Sequence, residues 1–91
     1  MPVKIKTSIP GPKSIMLAER RANSVAQGHG TVCNVYIEKA EGSLLKDIDG
    51  NTFIDFAGGI GTMNVGHSHP RILNRTKNQL DKYTHTCFSV A

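Results

Sequence analysis

Apolar residues Ile15, Ala18, Ala22 and Val25 recur at i, i+3, i+7 and i+10, with Glu19, Arg20 and Arg21 on the polar side. That spacing predicts an amphipathic helix, stopped by Gly28 and Gly30, with Ser14 as its candidate N-cap. Ahead of it, residues 1–12 hold three of the four prolines, and "IPGP" resists regular structure, so this stretch reads as an extended arm. From Val32 to Ala40 the period changes to two: Val35 and Ile37 share one face, Tyr36 and Glu38 the other, a strand pattern. "SLLKDIDGNTFIDF" then sets two short apolar-rich runs around Asp49-Gly50, a dipeptide that tolerates the positive φ of a tight hairpin turn. In its second strand Ile54 and Phe56 face one side, Phe53 and Asp55 the other. Helical spacing returns through Ile72, Thr76, Leu80 and Tyr83, with Pro70 suited to the first turn. The expected fold is α+β: a helix, a small antiparallel sheet with a hairpin, and a second helix.

This layout leaves apolar faces uncovered. The chain has 91 residues, five aromatics and no Trp, enough for one domain at most. Its last stretch, "THTCFSVA", stops on an apolar residue with no turn or polar tail. The expectation is an incomplete domain spanning 13–91, continued in a longer protein. The net charge of +4 is scattered, and no basic run alternates with aromatics, so a solvated exterior is expected rather than a nucleic-acid surface. No apolar run approaches the roughly 18 residues of a membrane span, and no signal-peptide pattern is present. Cys33 and Cys87 form no C-x-x-C pair, which suits reduced thiols and a cytoplasmic setting.

Candidate chemistry concentrates in "FAGGIGTMNVGHSHP", residues 56–70, with four glycines and two histidines. As a phosphate cradle it fails: "GGIG" is not G-x-G-x-x-G, and no Gly-Lys-Ser/Thr follows. As a metal site, His67 and His69 could converge with His29, His85 or Cys87, but a second paired-ligand spacing is missing, and no metal is expected. Instead one histidine is expected to cap the following helix and the other to bond to backbone. Cys87 and His85 make a poor nucleophilic pair without an orienting acid, so a buried thiol is expected at Cys87. Close approach is what remains. Gly58, Gly59, Gly61 and Gly66 let backbone pass where Cβ atoms would collide, and Ile60 and Met63 add apolar contacts. Residues 57–67 therefore read as a ligand-lining or interface loop. Both an enzyme segment and a small free-standing binding or assembly module would fit.

"GSLLKDIDGNTFIDFAGGIGTMNVGHSHPRI" resembles the N-terminal region of class III (subgroup II) aminotransferases, fold-type I enzymes that use pyridoxal 5′-phosphate. The shared pattern is an Asp-Gly hairpin, an (Ile/Leu)-Asp-Phe strand end, a Gly-Gly-Ile loop and Gly-His-x-His-Pro before a helix. "SIPGPKS", "ERR" and "KAEG" fit upstream, and "HTCF" narrows the resemblance to the 4-aminobutyrate type. Cys33-Asn34 depart from the His-Pro common there, as do Asn74, Arg75 and Thr76 in the second helix. The resemblance implies the N-terminal portion of a small domain, in the first fifth of a homodimeric enzyme. That enzyme passes an amino group from an ω-amino acid, 4-aminobutyrate by this resemblance, to a 2-oxo acid, 2-oxoglutarate. It also implies a substrate-pocket loop at Gly58, Gly59 and Ile60. The family's Schiff-base lysine and phosphate contacts have no counterpart in these residues. The chain alone is therefore expected to hold no cofactor, to carry no catalytic residue and to be inactive.

Overall fold

The structure, a computed structural model, describes residues 3–91. Helix α1 runs from Pro12 to Ser24, and strands β1 (Ile37–Glu41), β2 (Leu44–Asp47) and β3 (Thr52–Ile54) form an antiparallel meander in the order β1-β2-β3. The glycine loop contains a single four-residue turn, α2 (Gly58–Gly61), and helix α3 spans Pro70–Leu80. The α+β fold expected from the periodicities is what forms.

Strand β1 is shorter than the alternating pattern predicts. Residues 32–36 stay irregular, and a register shift between Ile37 and Lys39 interrupts pairing with β2. Gly42 and Ser43 turn β1 into β2, Gly42 at φ 57°, as a two-residue hairpin requires of its first position. The second hairpin is wider than a two-residue turn: Asp47 and Asn51 close it by Asp47 N–H to Asn51 O at 2.9 Å, leaving Ile48, Asp49 and Gly50 in the loop. Only Gly50 needs positive φ there, at 87°. The arm lies along the outer edge of β3, where Lys4 and Thr52 exchange backbone bonds of 3.1 and 2.7 Å.

What holds this arrangement is polar. Among the described residues no apolar side chain is buried, and the fully buried side chains are Ser14, Asp47 and Asn51. Asn51 Oδ1 accepts from Lys6 N (2.6 Å) and Thr7 N (3.0 Å), while its Nδ2 donates to Thr7 Oγ1 and Asp47 Oδ2, both at 2.8 Å. The Asp47 carboxylate also accepts from Asn51 N at 2.7 Å and Asp49 N at 3.0 Å. This knot ties the arm to the hairpin.

Ser14 does not cap α1. The N-cap is Gly11, which has no side chain to offer, and the hairpin supplies the acceptor instead: Asp49 takes Lys13 N at 2.8 Å and Ser14 N at 3.0 Å. A Cβ on Gly11 would run into the Asp49 carboxyl, so glycine is needed for that approach. Ser14 Oγ, one turn in, accepts from Tyr36 N at 3.2 Å. The contact lowers the Asp49 pKa; partial burial opposes ionisation, but the two helix N–H groups outweigh it. A lowered folded pKa means the stabilisation is complete above the ordinary value of 3.8 and is lost as falling pH protonates Asp49. We therefore expect α1 to loosen only in acid, and Asp49→Ala to reproduce that loosening at neutral pH. Amide exchange at Lys13 and Ser14 measures both.

Candidate functional site

Glycine is needed in the loop after β3 mainly for conformation. Gly58, Gly59, Ile60 and Gly61 have φ of 55°, 60°, 59° and 75°, so all four lie in the left-handed region. The turn is closed by Gly61 N–H to Ala57 O and Thr62 N–H to Gly58 O, both 2.9 Å, a single left-handed helical turn. L-residues resist this shape by about 1–2 kcal/mol each, which explains why three of the four positions carry no Cβ. Ile60 is the exception, at φ 59° and ψ 59°. A β-branched residue there is strained, and strain of this kind concentrates at functional sites. Its side chain is 91 % exposed, so no packing within the chain repays the strain.

Close approach, expected at four glycines, holds at two. A Cβ on Gly66 would sit about 3 Å from the backbone of Gly42, and one on Gly59 would crowd Thr62 Oγ1 at 2.7 Å. At Gly58 and Gly61 there is room for a Cβ, and the positive φ alone selects glycine.

Both ends of the loop are anchored. Asp55, one residue past β3, donates its N–H to Ser43 O at 2.8 Å and accepts at Oδ1 from Gly58 N at 2.9 Å. Its Oδ2 lies 2.6 Å from Nε2 of His67, at the other end. His67 also forms a backbone bridge with Gly42, at 2.8 and 3.0 Å, and Ser68 Oγ donates to Ala40 O at 2.8 Å. Gly42, Ser43, Asp55, Gly58, Met63, Gly66 and His67 line an open cleft of about 360 Å³. The Asp55 carboxyl is held below its ordinary pKa, first by the His67 ring and then by the Gly58 N–H.

The histidines divide their roles. His69 caps α3, its Nδ1 accepting from Arg71 N at 3.3 Å. His67 does not bond to backbone through its ring as expected; the ring turns to Asp55 because that carboxylate lies within reach. Cys87 is exposed rather than buried, as is Cys33, since no element covers the last residues. Asp55 escaped the sequence reading as a site residue. The signal was an acid three positions before Gly58, the spacing at which a carboxylate caps the turn that follows it.

Residues 24–91 match the family described as aminotransferase class-III. The chain belongs to the class III aminotransferases. It is 40 % identical over 87 residues, 96 % of its length, to a 4-aminobutyrate aminotransferase of Mycobacterium bovis. It is also 45 % identical over 74 residues to a 5-aminovalerate aminotransferase of Pseudomonas aeruginosa, covering 81 % of this chain. The chain spans 19 % and 17 % of those two proteins. Among solved structures, an acetylornithine aminotransferase of Elizabethkingia anophelis superposes with a TM-score of 0.73 at 26 % identity, covering 86 % of this chain and 20 % of that one. An ornithine aminotransferase of Toxoplasma gondii gives 0.71 at 27 %, covering 97 % and 19 %.

All seven lysines are exposed. Pyridoxal phosphate is held by an amine aimed at its aldehyde, an amine usually made reactive by burial, and these residues do not offer one. They do not fit the cofactor's anchoring role, and no chemical step is assigned to them. No helix among the described residues is long and apolar enough to cross a membrane.

Proposed function

We propose that the chain is the N-terminal part of an ω-amino acid aminotransferase, within its small domain, acting on 4-aminobutyrate with 2-oxoglutarate as acceptor. The support is the similarity to 4-aminobutyrate and 5-aminovalerate aminotransferases over most of the chain. Pyridoxal phosphate, which supplies the electron sink for amino transfer, would be held by residues outside this stretch. A homodimer and a cytoplasmic location belong to the same reading.

Within it, Gly58, Gly59 and Ile60 line the substrate pocket. The left-handed turn presents Ile60 as an apolar surface against the methylene chain of the amino donor, with Gly58 and Gly59 keeping Cβ atoms out of the way. Ile60 therefore acts on fit and leaves the chemistry alone. The test uses the full-length protein with 4-aminobutyrate and 2-oxoglutarate, for which steady turnover is expected. In Ile60→Ala the KM for the donor should rise about tenfold with little change in kcat, and longer donors should be accepted more readily. The absorbance of the bound cofactor should stay as it was. Its loss in that variant would show that the loop holds the cofactor itself.

A further inference from the structure

We infer that Asp55 is the positioning residue of the glycine loop, a clamp that keeps Gly58–Gly61 in its left-handed form without touching the substrate; its kinetic consequence rests on the pocket reading above. The loop needs such a clamp. A left-handed turn containing a β-branched residue is unfavourable by itself, and Ile60, 91 % exposed, gains nothing from neighbours in the chain. Its own backbone closure amounts to the bonds from Gly61, Thr62 and Met63 to Ala57 and Gly58.

One carboxylate reaches both ends. Oδ1 takes the N–H of Gly58, the first residue of the turn, and Oδ2 takes the His67 ring from the far side of the loop. Asp55 is itself fixed, because its N–H is tied to Ser43 and its side chain is only 8 % exposed. His67 is fixed by its bridge to Gly42, the neighbour of Ser43, and Gly66 lets the two backbones meet. Loop entry, loop exit and the β1–β2 turn thus converge on Asp55. Alanine there would free Gly58 N–H and release the His67 ring together.

In the full-length protein, amide exchange across residues 57–66 reads the clamp directly, and donor kinetics read its effect. Asp55→Ala should speed exchange at Gly61 and Thr62 by about tenfold or more. It should also raise the donor KM about tenfold while kcat moves less than about twofold. Asp55→Asn keeps an acceptor for Gly58 N–H and should fall between wild type and alanine; His67→Gln, which keeps a donor for Oδ2, should do the same relative to His67→Ala. Added to Ile60→Ala, Asp55→Ala should raise KM no further, since both act through one side chain. Unchanged exchange in Asp55→Ala would overturn the clamp. So would an equal loss of all rates together with a lower melting temperature, the mark of a merely structural residue. If Ile60→Ala leaves donor kinetics unchanged while Asp55→Ala still frees the loop, the clamp stands and the pocket reading falls.

Discussion

Produced by itself, the 91-residue chain is expected to unfold along a sloping, weakly cooperative curve, to bind a dye that reports exposed apolar surface, and to show no transaminase turnover. The reason is where its apolar side chains lie. Cooperative unfolding needs apolar surface that is buried together and returns to water together, and among the described residues no apolar side chain is buried. Met16, Ile72, Leu80, Tyr83 and Phe88 are all more than half exposed. The Cα radius of gyration is 16.5 Å, against about 12 Å for a compact chain of this length. Helix α3 illustrates the problem: Ile72, Leu73 and Leu80 along its apolar stripe stay exposed, as do all eleven of its residues. Strand pairing and the polar knot around Asn51 resist unfolding locally, but hydrogen bonds exchanged with water contribute little net stability without a dry interior. Calorimetry and dye fluorescence on the isolated chain decide the matter. A sharp two-state melt would mean that strand pairing and polar contacts alone hold the chain together. Turnover of 4-aminobutyrate with 2-oxoglutarate would mean that an exposed lysine suffices to hold the cofactor.

The elements set by local chemistry were legible in the sequence. Asp49-Gly50 marked a hairpin because Gly50 takes a φ that other residues avoid, and Pro70 marked the start of α3 because a missing N–H costs nothing in a first turn. What escaped depended on partners far along the chain. Ser14 has the right chemistry for an N-cap, yet the acceptor comes from Asp49, 35 positions away, and the hydroxyl serves Tyr36 instead. His67 could equally have met backbone, and only the fold brings Asp55 to 2.6 Å from its ring. The glycine run announced an unusual backbone without giving its sense. Close approach and left-handed φ both select glycine, and the structure assigns the second cause to Gly58 and Gly61.

Asn51 presents the largest single-residue effect expected on stability. Its side chain is fully buried and makes four hydrogen bonds, two to arm N–H groups, one to Thr7 Oγ1 and one to Asp47 Oδ2. Asn51→Leu would leave the arm donors and one carboxylate oxygen unmatched. At about 1–3 kcal/mol for each unsatisfied buried group, partly relieved by water at the exposed Lys6, the loss should come to about 3 kcal/mol. The arm would detach, and residues 4–8 would become open to proteolysis in the full-length protein. Asn51→Asp separates charge from shape. It keeps the acceptor for Lys6 and Thr7 but sets a second carboxylate where Nδ2 now lies 2.8 Å from Asp47. Two carboxylates that close cannot both ionise easily, so one pKa of the pair is raised. A raised folded pKa on an acid destabilises above that pKa and is relieved as pH falls through it. Asn51→Asp should therefore be cleaved in the arm at pH 7 and recover protection as the pH is lowered to about 5, whereas Asn51→Leu stays sensitive at both. Equal sensitivity of the two variants at both pH values would mean that the knot depends on the amide's donor to Asp47 alone and that charge plays no part.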